Sequence, residues 1–209
     1  MLDALRTRLG PFAIRFALAF LLLLAVWRFF SPFYAQGMAA IGQTLLTATG
    51  TLPPGSQLEA RDRRVWVTRP VTKVDGSQGM ATVNVLDDAT YVNIVLLAAL
   101  TIATPVLAWP ARAKVFLAGG AALSILHLID LAIKLRWTAV YPGLPAHGVI
   151  PEAASSTVVK AYEWMFAFFS VNGFGLFPIL VWFAATAFWW PQQARTAEIK
   201  PGRRRKHRG

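Results

Sequence analysis

Residues 164–190 read WMFAFFSVNGFGLFPILVWFAATAFWW and form the longest uncharged apolar stretch of the chain. A helix needs about 20 mostly apolar residues to cross a bilayer core of about 30 Å, so this stretch is long enough to span a membrane. Its tryptophans fall near or at the expected membrane interfaces, at Trp164, Trp182, Trp189 and Trp190. Small residues and a proline inside it indicate close helix packing or a kink, at Asn172, Gly173, Gly175 and Pro178.

Three further runs of the required length precede this one, at residues 12–33, 91–109 and 115–133. The composition agrees, because 56% hydrophobic residues and a mean hydropathy of +0.47 are too apolar for the soluble core of a 209-residue chain. The sequence thus predicts a mainly α-helical polytopic membrane protein, with four transmembrane helices in a single membrane domain that covers residues 1–209.

The first span has one alternative interpretation. Arg6 and Arg8 followed by an apolar segment are also the pattern of a cleavable signal peptide. The apolar segment is long for such a peptide, and the residues after Phe30 offer no clean small-x-small cleavage site. Retention of the span is therefore favoured, while cleavage would leave three spans and the same cytoplasmic tail.

Lysine and arginine beside the spans set the predicted orientation, because short loops rich in these residues stay in the cytoplasm. Four spans place the N-terminus, the joint between spans two and three, and the C-terminal tail on one side of the membrane. All three segments are basic: Arg6 and Arg8 lie in the first, Arg112 and Lys114 in the second. The long loop after span one also contains arginines, but long loops translocate largely regardless of charge. We therefore expect a bacterial inner-membrane protein with both termini in the cytoplasm.

The C-terminal tail, residues 191–209, is strongly basic. The formal net charge of +11 could indicate a nucleic-acid partner, but a polybasic segment directly after a span favours anionic lipid at the cytoplasmic surface. No nucleic-acid partner is therefore predicted. The predicted lipid-binding residues are Lys200, Arg203, Arg204, Arg205, Lys206 and Arg208.

The outer loop between the first two spans covers residues 35–88. Its first part, Ala35–Thr49, is small, apolar and uncharged, which predicts an amphipathic helix on the outer membrane surface. Gly50 should end this helix. At the other end of the loop, Asp87 and Asp88 precede span two and are expected to cap its first turn.

Two β-rich runs in this loop, Gln57–Val71 and Met80–Leu86, lie on either side of a turn signal and predict a small β-hairpin. An isolated hairpin is only marginally stable, so it should lean on the loop after span three, on span ends or on a partner protein. Its exposed residues are therefore candidates for docking another membrane protein. They are Arg61, Arg63, Arg64 and Trp66, together with Asp75 and Gly76 of the turn.

The third span carries a polar stripe, because His127, Asp130 and Lys134 follow one another at helical spacings of three and four residues. An ionisable residue inside a span is a functional candidate by default. The alternative is structural: the same side chains would lie near the outer headgroups and hold neighbouring helices or the arginines of the hairpin. Both interpretations stay open, and the structural one is favoured.

Composition also limits the chemistry. The sequence has no cysteine, which excludes disulfides, thiolate metal sites, thioether-linked haem and a cysteine nucleophile. It has three histidines, of which His207 lies in the basic tail, and no pair of them has a metal-binding spacing. The sequence contains no glycine-rich phosphate loop and no serine nucleophile motif. We therefore predict no metal site, no cofactor and no enzymatic activity.

The order of these segments resembles that of a known family. Residues 91–105 read YVNIVLLAALTIATP and residues 172–182 read NGFGLFPILVW. The layout is similar to the exosortase-associated membrane proteins, those that accompany the H-type exosortases of Gram-negative bacteria, with residue matches at Leu96–Pro105 and Asn172–Trp182. This resemblance implies an accessory role in sorting C-terminally tagged proteins to the cell surface. It does not imply the transpeptidase itself, because exosortases look like cysteine enzymes and this sequence has no cysteine.

The sequence leaves two hypotheses for the function. In the first, the chain is a non-catalytic membrane accessory protein whose outer hairpin and polar stripe dock a membrane-bound sorting or processing enzyme. In the second, it is a small membrane transporter subunit or a membrane enzyme that acts through Asp130 and His127. The first is favoured, because the sequence shows no reactive constellation of residues.

Overall fold

The structure is a computed structural model that describes residues 2–105, 107–172 and 175–198. Helices dominate this part of the chain, and a small antiparallel sheet follows the first helix. In chain order the elements are α1 (Leu2–Ala48), β1 (Gln57–Arg61), β2 (Arg64–Thr72), β3 (Gln78–Leu86), α2 (Asp88–Ala103), α3 (Trp109–Val140), a 3-10 turn (Leu144–His147), α4 (Ser156–Asn172) and α5 (Leu176–Glu198).

Two of the described helices are long and apolar enough to cross a membrane: α1 from Leu9 to Ala48, and α3. A third span results if α4 and α5, which are bent by 72° relative to each other, count as one broken span. Helix α2 is apolar but has 16 residues, which is about 24 Å of helix and shorter than a typical bilayer core. The structure therefore confirms a mainly helical chain with membrane-compatible helices.

The first predicted span and the predicted surface helix form one continuous helix, α1, so the prediction of a separate amphipathic helix is wrong. The second half of α1 packs against α2, α3 and the sheet. One face of this half is therefore buried in the protein, and Gly50, with a φ of 66°, follows its end as predicted. The residues that it buries recur at intervals of three and four: Ser31, Ala35, Met38, Ala39, Gly42 and Leu46.

The sheet has three strands instead of the predicted two, in the order β1-β2-β3. The run predicted as one strand, Gln57–Val71, is divided by a tight turn at Asp62 and Arg63. Both turn residues have positive φ, 48° and 65° respectively. Two-residue hairpin turns with this backbone usually carry Asn-Gly or Asp-Gly, so Asp-Arg is a weak turn signal and the division was missed.

The turn between β2 and β3 is the predicted Asp75-Gly76 turn. Gly76 has a φ of 81°, and Asp75 Oδ1 accepts hydrogen bonds from Ser77 N (2.9 Å) and Ser77 Oγ (2.7 Å). Next to this turn, Lys73 forms an antiparallel bridge with Val149 of the loop after α3. The hairpin thus leans on this loop, which is one of the supports expected from the sequence.

The inner face of the sheet and the second half of α1 share one hydrophobic core. Helices α2 and α3 close this core, and a Cβ added at Gly42 of α1 would lie 2.7 Å from Leu131 Cδ2 of α3. The side chain of Leu131 therefore packs directly against the backbone of α1, as a small residue permits. The buried residues that join sheet and helices here include Val65, Val67, Val85, Leu86, Tyr91, Leu131 and Leu135.

Helix α2 ends at Ala103, before the predicted limit of span two, and a non-helical joint leads to α3. Arg112 holds this joint: its Nε donates to Leu107 O and its Nη2 to Thr104 O, both at 2.9 Å. Trp182 Nε1 of α5 donates to Thr104 Oγ1 at 3.2 Å. The guanidinium satisfies carbonyl groups that a helix end leaves free, so the chain can turn inside an apolar segment.

The fourth predicted span, residues 164–190, is divided into α4 and α5. Residues 173–174 between the two helices lie outside the described residues. The small residues predicted to permit a kink are at this break, and Pro178 lies in the first turn of α5, where a missing N–H costs no helical hydrogen bond. Helices α4 and α5 both pack on α3.

The Asp62-Arg63 turn allows a test of the division between β1 and β2. Arg63→Gly and Arg63→Ala both lose the contact of Arg63 with Asp88, but only glycine relieves the positive φ of this position. We expect the glycine variant to be more stable than the alanine variant by roughly 1 kcal/mol in denaturant unfolding of the protein in micelles. Equal stability of the two variants would show that position 63 does not have this backbone conformation.

Candidate functional site

His127 of α3 lies at the junction of three helices and is 2% exposed. Tyr34 Oη of α1 is 2.8 Å from its Nδ1, and Asn93 Nδ2 of α2 is 3.3 Å from its Nε2. Tyr34 Oη is also 3.1 Å from Ser124 Oγ, which donates to Gly120 O of its own helix at 2.9 Å. One side chain of α3 therefore bonds to both α1 and α2.

The neutral imidazole of His127 finds partners in either tautomer. With the proton on Nδ1, the ring donates to Tyr34 Oη, Tyr34 donates to Ser124 Oγ, and Nε2 accepts from the Asn93 amide. With the proton on Nε2, Tyr34 donates to Nδ1. The site therefore holds the ring by hydrogen bonds without any charge.

The hydrogen-bonded side chains of Tyr34, Asn93, Ser124 and His127 form what we call the His127 cluster. Aromatic rings enclose it. The rings of Tyr34 and Tyr91 meet edge to face with their centroids 5.0 Å apart, and His127 makes similar contacts with both at 5.9 Å and 5.7 Å. Trp27 packs on Tyr34 at 5.7 Å between ring centroids. Such edge-to-face contacts add stability beyond the burial of area, so the three helices are joined by polar and aromatic contacts at one level.

Asp130 and Lys134 of the predicted stripe form a unit of their own. Asp130 is 3% exposed, and its Oδ2 lies 2.8 Å from Lys134 Nζ one turn later in α3. The second carboxylate oxygen, Oδ1, and the hydroxyl of Tyr91 are buried and have no hydrogen-bond partner among the described residues. The stripe thus divides into His127, which joins helices, and a charge pair within α3.

The geometry of the cluster limits what it can do. Asp130 and His127 are buried, so neither side chain is available for direct contact with a partner protein in this conformation. Within the residues that the structure describes, no three side chains of the metal-binding types lie together as ligands. The interactions present are hydrogen bonds between helices and one ion pair.

The predicted docking residues of the hairpin are not brought together. Arg61, Arg63 and Arg64 surround the turn between β1 and β2, whereas Asp75 and Gly76 form the turn at the opposite end of β2. The six residues therefore do not form one site. Trp66, the remaining candidate, projects from the outer face of β2, half-buried, with Glu59 and Asn84 as its cross-strand neighbours.

Two of the docking arginines already have partners. Arg63 Nη1 is 2.9 Å from Asp88 Oδ2, which ties the β1-β2 turn to the start of α2, where Asp87 caps the helix as predicted. Arg61 pairs with Glu59 of the same strand, and this hydrogen bond lowers the pKa of the Glu59 carboxyl below its usual range. Arg64 stays exposed on the outer face.

Arg69 of β2 was not predicted as a site residue, although it is 4% exposed. Its Nη2 donates to Thr138 O at 2.6 Å, at the C-terminal end of α3, and its Nη1 lies 3.5 Å from Glu152 Oε1. Burial lowers the pKa of the Arg69 guanidinium, and the charge of Glu152 opposes this change. The sequence did contain one indication of its burial: Arg69 lies on the same face of β2 as the buried Val67 and Val71, two residues from each.

The basic residues predicted to bind anionic lipid lie outside the described residues. Helix α5 continues to Glu198, so the backbone of the first part of the predicted tail is helical. The lipid-binding prediction concerns Lys200, Arg203, Arg204, Arg205, Lys206 and Arg208, and it stays a prediction.

No protein-family model matches this chain, and no curated protein or solved structure is significantly similar to it. The resemblance to exosortase-associated membrane proteins therefore stays an expectation drawn from the sequence. The contacts of the His127 cluster and of the sheet are the observations that bear on the function of this chain.

Removal of the Tyr34 hydroxyl tests whether the His127 cluster joins the helices. Tyr34→Phe keeps the ring contacts and deletes the bonds to His127 and Ser124, so we expect a loss of about 1 kcal/mol in the free energy of unfolding in micelles. Tyr141→Phe, at a tyrosine 42% exposed at the end of α3, is the matched control and should be neutral. An equal effect of both changes would mean that the cluster contributes nothing specific.

The buried guanidinium of Arg69 gives a second stability test. Arg69→Met keeps an unbranched apolar stem but leaves the Thr138 carbonyl without its donor and Glu152 without its counter-charge. We expect the variant to lose about 2 kcal/mol in denaturant unfolding. Arg61→Met removes an exposed arginine of the same sheet and should leave stability unchanged. A neutral Arg69→Met would show that this contact does not anchor the sheet to α3.

Proposed function

We propose that this protein is a non-catalytic accessory protein of the bacterial inner membrane, which partners a membrane-bound sorting or processing enzyme of the exosortase type. The observation that supports this proposal most directly is that the buried polar groups bond to other helices of the chain, whereas other polar groups are exposed on the sheet. The His127 cluster bonds to its own helices, whereas the sheet presents its outer face to solvent. The first arrangement builds a scaffold, and the second offers a surface to another protein.

The membrane arrangement that goes with this proposal has four spans and both termini in the cytoplasm. α1 and α3 act as full spans, α2 as a short one, and α4 with α5 as a broken one. Irregular backbone is tolerated at membrane depth where protein covers it, and the joint before α3, with its bonds from Arg112 and Trp182, is of this kind. The sheet then stands on the outer surface.

One specific observation favours the second function, a small transporter subunit or a membrane enzyme. Asp130 Oδ1 and the Tyr91 hydroxyl are buried polar atoms without a hydrogen-bond partner in the described part of the chain. Buried unsatisfied groups of this kind are costly and occur at functional sites. In this function, Asp130 carries the proton or binds the substrate while His127 positions Tyr34.

Purification with a tag at the C-terminal end tests the accessory function. We expect a stoichiometric membrane transpeptidase or protease to co-purify from native membranes in mild detergent. Arg64→Glu reverses an exposed charge on the outer face of the sheet and should weaken the association by about tenfold. Lys160→Glu reverses an exposed charge on α4 and serves as the control. A pure homo-oligomer without any partner would reject the accessory function.

Asp130→Asn separates the two functions. If the chain is an accessory protein, the variant inserts, binds the partner and supports sorting as the wild type does. The reason is that Asp130 is buried and pairs with Lys134 of its own helix, so it does not touch a partner. Loss of all activity with intact insertion and partner binding would support the alternative instead. The measurement is surface display of a C-terminally tagged substrate in cells that express each variant, normalised to the amount of accessory protein in the membrane.

A further inference from the structure

We propose that the free edge of β3 binds an extended segment of a partner protein as a fourth strand, with side chains of that segment seated in the adjacent apolar cleft. The proposal rests on the proposed accessory function and names the place and the chemistry of docking. It concerns a partner segment that has apolar side chains at alternate positions and one acidic group. Strand addition of this kind gains affinity from main-chain hydrogen bonds and specificity from side-chain pockets.

The direction of the β3 main chain follows from one hydrogen bond. Lys73 N donates to Ser77 O at 2.8 Å, which makes these two residues a hydrogen-bonded pair of the β2-β3 hairpin. Hydrogen-bonded pairs alternate along an antiparallel ladder, so Gly79 and Ala81 also bond to β2. The N–H and C=O groups of Met80 and Thr82 therefore point away from β2, toward a side on which the described residues supply no further strand.

The opposite side of the sheet is covered. Leu58 N of β1 donates to Gln43 Oε1 of α1 at 2.8 Å, which occupies an outward N–H of that edge. At the end of β2 and just beyond it, Ile150 N donates to Thr72 O (2.8 Å) and Val74 N to Gly148 O (3.0 Å), so the loop after α3 pairs there. The two edges of the sheet thus differ: α1 and this loop bond to one, and none of the described residues adds a strand to the other.

The composition of β3 does not protect its open edge. Proteins usually protect an edge strand with charged residues or proline, because unpaired main-chain groups attract other strands. β3 reads QGMATVNVL, nine residues without a charge or a proline, whereas β1 contains Glu59 and Arg61. An unprotected edge is a liability unless a strand is meant to pair with it, and this contrast favours a partner segment.

A cleft of about 620 Å³ runs along the same edge. Residues from both faces of β3 line it, Met80 and Thr82 from the outer face and Ala81 and Val83 from the inner one, so it lies beside the edge itself. On the far side the cleft is lined by Trp137 in the last turns of α3, by Tyr141 directly after this helix and by Leu144 of the 3-10 turn. A strand added to β3 would direct every second side chain toward these rings.

The charges that line the cleft indicate that the partner segment carries an acidic group. Lys73 and His147 are among the described residues that line the cleft, and no acidic residue is. Asp75 lies near Lys73, but its carboxylate accepts two hydrogen bonds from Ser77, which lower its pKa and hold it in the turn. A carboxylate of the incoming segment next to Lys73 would complete the charge balance.

Thr82→Pro tests the proposal directly. It removes the outward N–H of Thr82 without breaking the ladder to β2, because proline is tolerated on a free edge. Thr82→Val is the matched control: it loses the same hydroxyl contact with Thr68 (3.0 Å) but keeps the N–H. The probe is a fluorescent peptide that alternates valine and threonine and contains one aspartate, and the readout is fluorescence anisotropy with the full chain in lipid nanodiscs.

We expect the probe peptide to bind the wild type and Thr82→Val equally and Thr82→Pro about tenfold more weakly, the effect of one lost main-chain hydrogen bond. Lys73→Glu should weaken binding of the peptide that contains aspartate and strengthen binding of a peptide with lysine in its place. The proposal is wrong if the wild type binds no probe peptide or if Thr82→Pro binds as well as Thr82→Val. Displacement of the probe by lysophospholipid would assign the cleft to lipid, and a dimer that Thr82→Pro dissociates would assign the edge to a second copy. Either result would overturn it.

The same variants distinguish this proposal from the accessory function on which it rests. If a membrane enzyme still co-purifies with Thr82→Pro at wild-type stoichiometry, the accessory function stands and only docking at β3 is rejected. If no enzyme co-purifies with any variant or with the wild type, the accessory function itself fails. Peptide binding and co-purification therefore report on different statements.

Discussion

The fold depends on the second half of α1, which packs against α2, α3 and the sheet at once. Lipid tails are as apolar as side chains, so helices in a membrane associate through close packing and polar contacts rather than through the hydrophobic effect. Ser31, Ala35, Ala39 and Gly42 give α1 a small-residue face, and Gly42 lets Leu131 of α3 approach its backbone. Burial of apolar area against the same helix also stabilises the sheet. One helix thus joins the other helices to the sheet.

The His127 cluster determines how the packed helices are rotated relative to one another. Apolar contacts tolerate small rotations of a helix, but the hydrogen bonds between the ring nitrogens of His127 and the side chains of Tyr34 and Asn93 fix the rotation of α1 and α2 about α3. Arg69 does the same for the sheet, because its guanidinium bonds to the end of α3. Polar groups in the interior therefore determine how the elements are oriented, while small and aliphatic residues determine how closely they approach.

The sequence predicts the parts of this fold that depend on local patterns, and it fails where distant partners decide. Apolar runs predicted helices, Asp75-Gly76 predicted its turn, and Asp87 its cap, since each signal lies within a few residues. The end of α2 was missed because the joint after Thr104 is as apolar as the helix, and its polar groups are satisfied by Arg112 and Trp182. For the site, the helical spacing identified His127 but could not show that its partners come from other helices.

The sheet is not an independent domain, and this affects how its open edge can act. Helix α1 bonds to the β1 edge through Gln43, and the loop after α3 pairs with the chain at the end of β2 on the same side. Because the helices already hold β2 and β3 in place, a strand that adds to β3 orders itself but not the sheet. Preorganisation of this kind removes part of the entropy cost of binding, so each main-chain hydrogen bond at Met80 and Thr82 contributes more fully to affinity than it would on an isolated hairpin.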